Sequence, residues 1–96
     1  MRLPRIHAGH AEVAWIQLTH HAVVRFRARR RVPRGTDAAE AAAAVLSDAS
    51  VDRVPPAWAA AQDAEWFAVA GDACFPLVRT PEAGVWLTAT CLVRGA

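Results

Sequence analysis

Residues 85–93, Val-Trp-Leu-Thr-Ala-Thr-Cys-Leu-Val, constrain the fold of this chain more than any other stretch. They alternate with the period of two that marks a strand with one buried face. Val85, Leu87, Ala89, Cys91 and Val93 are all apolar, whereas Trp86, Thr88, Thr90, Leu92 and Arg94 are mixed. The uniform face needs a cover, and helices are expected to supply it. The mixed face would then offer two hydroxyls and an indole to something else.

The residues before this strand supply its partners. Residues 65–70 alternate, Gly71-Asp72 signals a tight turn, and residues 73–79 return. Pro76 lacks a backbone N–H, which suggests an edge strand or a bulge. Residues 80–84 form another turn. Upstream, residues 13–18 alternate as a short strand, with Ala14, Ile16 and Leu18 on one face. A helix is expected over residues 20–30, with Thr19 as N-cap and Val32-Pro33-Arg34-Gly35 as its breaker. Asp37 and Glu40 have capping-box spacing and open a second helix to about residue 48. That helix is mostly alanine, which favours helix and permits close packing on a sheet. The expected class is α+β: an N-terminal strand and two helices packed on a three- to four-stranded antiparallel sheet. Residues 1–12 read as a flexible N-terminal tail and residues 13–96 as a single α+β domain.

Composition narrows the function classes. With 54% hydrophobic and 21% charged residues in 96, the chain has material for one modest core and is not a disordered segment. No apolar run reaches the ~18–20 residues of a membrane helix, and residues 1–10 lack the apolar stretch of a secretory signal. Cys74 and Cys91 stand far apart, outside any C-x-x-C pair, which fits free buried thiols in a reducing cytoplasm. His7, His10, His20 and His21 lack the spacing of a structural zinc site, so no metal and no cofactor are expected.

Charge is segregated. Residues 1–34 carry eight arginines against Glu12, whereas residues 35–96 carry three arginines against eight acids. A basic N-terminal third suits a polyanion or an acidic protein. Within the first helix, His21, Arg25 and Arg29 are spaced i, i+4, i+8 and form one stripe. The stripe runs beside the apolar cluster of Ala22, Val23 and Phe26, with His20 and Arg27 on the far side. One imidazole and two guanidiniums in line can bind a phosphate, and the imidazole can exchange a proton beside it. Arginines at the end of a helix are also favoured by its dipole alone. His20, Arg27, Arg30, Arg31 and Trp86 are the further candidates for contacts to nucleic acid, and Trp58 offers a second stacking ring. Four tryptophans are many for so small a core, which raises a homodimer as a further possibility.

The motif Thr-x-His-Ala-x-x-Arg-x-x-x-Arg (Thr19, His21, Ala22, Arg25, Arg29), two helices and a closing Thr-x-Thr strand (Thr88, Thr90) together resemble the RelE/BrnT-like ribonuclease toxins. These belong to the barnase–EndoU–colicin–RelE group of small metal-independent ribonucleases. The resemblance implies an endoribonuclease that cleaves RNA by attack of the ribose 2′-hydroxyl on the adjacent phosphate. His21 would be the base or acid, Arg25 and Arg29 would stabilise the phosphorane charge, and Thr88 or Thr90 would orient the phosphate or ribose. It also implies an acidic antitoxin as partner. Many members of the group use a C-terminal tyrosine or a lysine, and this chain contains neither. A non-catalytic binding module of the same shape, using the arginine-rich helix for nucleic acid or protein, is the alternative.

Overall fold

A computed structural model describes residues 3–60 and 63–96. In chain order the elements are β1 (Arg5–His7), β2 (Trp15–Gln17), α1 (His20–Arg30), α2 (Ala38–Ser47), β3 (Ser50–Asp52), a 3₁₀ turn (Ala57–Ala59), β4 (Trp66–Ala70), β5 (Ala73–Arg79), β6 (Val85–Thr88) and β7 (Leu92–Val93). Both helices start where polar side chains satisfy their first N–H groups. The Thr19 hydroxyl accepts from Ala22 N at 3.2 Å, and the Asp37 carboxylate accepts from Ala39 N and Glu40 N at 3.0 and 3.2 Å. At its far end α1 stops on Arg31, which is left-handed at φ 54.

The sheet differs from the expected one. Among the described residues it has seven strands rather than three or four, and it curls as a half-barrel. Its order is β1-β2-β6-β5-β4-β3, with β7 also paired to β5. It is mixed rather than antiparallel, because β2 and β6 run parallel, with Ile16 opposite Trp86. Two of the added strands have only three residues each, too few to display an alternating pattern. Residues 5–7, read from sequence as part of the 1–12 tail, are β1, and Ile6 is buried opposite Ile16. Met1 and Arg2 lie outside the described residues.

The strand expected over residues 85–93 is broken by a bulge. Leu77 pairs with Thr88, but Cys74 pairs with Leu92, so Phe75 and Pro76 face three residues, 89–91. The Pro76 carbonyl accepts from Ala89 N at 2.8 Å. Both groups of a strand residue point to one side, so the missing N–H of Pro76 also faces the bulge, where no ladder bond is lost. One extra residue reverses the facing of every later side chain. Trp86 and Thr88 therefore point inward before the bulge, and Cys91 and Val93 after it. Before the bulge, the face expected to lie under the helices is the outer one.

The inner face packs on the helices. Ile16, Leu18, Trp66, Phe75, Leu77 and Trp86 meet Ala22 and Phe26 of α1 and Ala42 and Leu46 of α2. The Phe26 and Phe75 rings stack with centroids 6.3 Å apart. On the outer face a smaller cluster joins Phe67 and Cys74 to Ala59 and Trp58, so the 3₁₀ turn covers the β4 side of the sheet.

Candidate nucleic-acid interface

Two contacts lay the bulged segment along α1. At the helix start, Thr19 N donates to Thr88 Oγ1 at 3.0 Å and Thr19 Oγ1 donates to the Thr88 carbonyl at 2.7 Å. At the helix end, Arg29 donates to the Cys91 carbonyl at 2.7 Å. The bulge leaves that carbonyl without a strand partner, and the arginine takes the strand's place. Residues 88–91 thus run beside the flank of α1 that carries the predicted stripe.

Helical geometry orders that flank. Ala22 and Phe26 are buried against the sheet. Each step back of four residues turns about 40° away from the core and ~6 Å along the axis. Arg29 is half-buried, whereas Arg25 and His21 are exposed on the two preceding turns. Val23 and Arg27 occupy the opposite flank, where Arg27 donates to the carbonyls of Pro33 and Thr36 and ties down the loop before α2.

The predicted site residues thus separate into two groups. Thr88 is 1% exposed, and its hydroxyl and carbonyl are both occupied by Thr19. Trp86 is 4% exposed and donates from Nε1 to the Glu12 carbonyl at 3.1 Å. Both hold the fold together from inside. Arg30 pairs with Asp72 and lies over the Phe26 ring. His20 lines a surface groove with Leu3, Val23, Arg27 and Asp37, away from the stripe. His21, Arg25 and Arg31 are exposed, and Thr90 is half-exposed on the bulge. Trp58 is half-buried in the outer cluster.

Electrostatics single out the same region. Arg5, Arg30, Arg53 and Arg79 each have a carboxylate within 4.0 Å. Among the described residues, Arg25, Arg27, Arg29, Arg31, Arg34 and Arg94 have none. Five of these six lie in α1 or the four residues after it. The helix itself contains no acid. The feature that sequence reasoning missed is the tether between Arg29 and Cys91, because it depends on the bulge.

Among the described residues, no three His, Cys, Asp or Glu side chains cluster closely enough to hold a metal ion, and no helix is long and apolar enough to cross a membrane. Comparison with protein-family models, curated proteins and solved structures finds no match to this chain. The fold and the site together define a small strand-rich domain in which a curled mixed sheet carries two helices, the first of them cationic and, among the described residues, paired to a carboxylate only through Arg30.

Proposed function

We propose that this chain is an RNA-binding domain that grips phosphates along the α1 flank facing the bulge. The observation that carries the reading is that, among the described residues, Arg25, Arg27, Arg29, Arg31 and Arg34 have no carboxylate within 4.0 Å, while Arg30 between them pairs with Asp72. Successive rungs of the flank are ~6 Å apart along the helix, close to the separation of neighbouring phosphates on one strand. Arg25 and His21 present free donors there, and Thr90 adds a hydroxyl from the bulge. Titration of a labelled single-stranded RNA with the chain and with Arg25→Glu tests this. Charge reversal is expected to weaken binding at least tenfold, and equal affinity contradicts the reading.

Cleavage of the bound RNA is the second reading, favoured by the exposure of His21 one helical turn from Arg25. Such cleavage needs a base for the 2′-hydroxyl proton and an acid for the departing 5′-oxygen. The flank supplies one imidazole. His20 is turned about 100° from it, so binding alone is the better supported function. Products ending in cyclic phosphate, formed in excess EDTA and lost in His21→Ala, would establish the ribonuclease. RNA left intact by a folded protein leaves the binding domain.

A further inference from the structure

The outer face of the sheet is covered on only one side. The 3₁₀ turn closes it over Phe67 and Cys74. Across β1, β2 and the ends of β5 and β6 it is less covered, although Val85 is itself buried and Leu87 half-buried. Register puts His7, Trp15 and Val85 in one row there, and Arg5, Gln17, Leu87 and Val78 in the next. Trp15 is 40% exposed and Val78 38% exposed. His7 packs against Trp15 edge-to-face, with ring centroids 4.8 Å apart, and fixes the indole. Gln17 is held in place by donating to the carbonyls of Leu3, Pro4 and Leu18.

Size decides what can occupy this floor. With strands ~4.8 Å apart and same-face residues ~6.8 Å apart, each position covers about 33 Å², and the seven positions about 230 Å². A stable protein dimer needs about 800 Å² per partner. One aromatic side chain buries about 150–250 Å², and a nucleobase is of similar extent. Charge agrees with a nucleotide. Arg5 borders the floor, and its ion pair with Glu82 joins two exposed side chains, a pairing that a phosphate can displace at little cost.

We propose that this half-face, floored by Trp15 and Leu87 and bounded by Arg5 and His7, is a stacking site for an unpaired base of single-stranded RNA. The proposal rests on the RNA-binding reading and adds a second contact on the opposite layer of the fold. The Trp15 indole offers an aromatic face to an unpaired base, so the site discriminates single strands from duplexes, whose bases are already stacked.

The experiment measures the affinity of a labelled single-stranded oligoribonucleotide and of an RNA duplex for the wild-type chain, Trp15→Leu, Trp15→Phe and Arg25→Ala. Melting temperatures of all four confirm folding. Trp15→Leu is expected to lose about tenfold in affinity for the single strand and nothing for the duplex, with Trp15→Phe in between. Arg25→Ala weakens both. Single-strand affinity unchanged in a folded Trp15→Leu overturns the stacking site while leaving the α1 reading intact. Absence of RNA binding in every variant overturns both. Protein self-association lost in Trp15→Leu, with RNA affinity unaltered, assigns the face to a second copy and likewise overturns the proposal.

Discussion

Arg25 and Arg29 belong to one stripe but have different work. Arg29 is bound to the Cys91 carbonyl and substitutes for a missing strand partner. Arg29→Ala leaves that carbonyl unpaired and is expected to cost about 1–3 kcal/mol of stability, read by denaturant unfolding. Arg25 is exposed and meets no carboxylate. Arg25→Ala should therefore leave stability within about 0.5 kcal/mol of wild type while weakening RNA binding. Thr88→Val is the buried counterpart. It removes the acceptor for Thr19 N and should cost about 1–3 kcal/mol. A melting temperature unchanged in Thr88→Val would contradict the anchoring role assigned to that hydroxyl. Nothing in the Thr88–Thr90 pattern separates the buried hydroxyl from the accessible one, because the distinction depends on which side of the bulge each residue lies.

At the level of elements, the helices were legible and the sheet only partly so. Thr19 and Asp37 are local signals, and each caps the helix it was expected to cap. Strand β5 likewise runs over residues 73–79, the segment expected to return after the Gly71-Asp72 turn. The fold class was not legible in full. Strands β1 and β3 are too short to carry a period, and the parallel pairing of β2 with β6 joins residues about 70 positions apart, beyond any local pattern. The uniformly apolar face of residues 85–93 is expected under the helices only if alternation continues through the bulge, whereas Trp86 and Thr88 are the inward residues before it. Arg31 supplies an element-level prediction. It holds a left-handed conformation at φ 54, which costs a side-chain-bearing residue roughly 1–2 kcal/mol. Arg31→Gly is expected to stabilise the chain by about 1 kcal/mol in thermal unfolding. The same change should weaken RNA binding slightly, by removing one cation. Destabilisation would show that the Arg31 side chain contributes packing.

For the whole molecule, the two thiols report the integrity of the core. Both are buried on opposite faces of the sheet, Cys91 toward the helices and Cys74 toward the 3₁₀ turn. Burial pushes Cys74 up to about 11. It pushes Cys91 up to about 12, against a smaller opposing pull from Arg29 and Arg30. The unfolded thiols ionise near 9. Between about 9 and about 12 the unfolded chain loses protons that the folded chain retains. Stability from this source is therefore complete below 9 and falls as pH rises through that window. Unfolding curves at pH 8 and pH 11 should show the loss, and Cys91→Ala should reduce it. Thiol reagents should label neither cysteine in the native state at pH 8 and both in denaturant. Rapid native labelling would contradict the packing described for this sheet.

The most direct test of the central claim, that the α1 flank binds RNA through its free cations, is the salt dependence of single-stranded RNA binding by the wild-type chain and Arg25→Ala. For single strands, log K falls with log[salt] by about 0.7 per phosphate neutralised. The account predicts a steep wild-type slope that becomes shallower by about 0.7 in Arg25→Ala, with melting temperature unchanged. A slope near zero, or one that Arg25→Ala leaves unaltered, would contradict it.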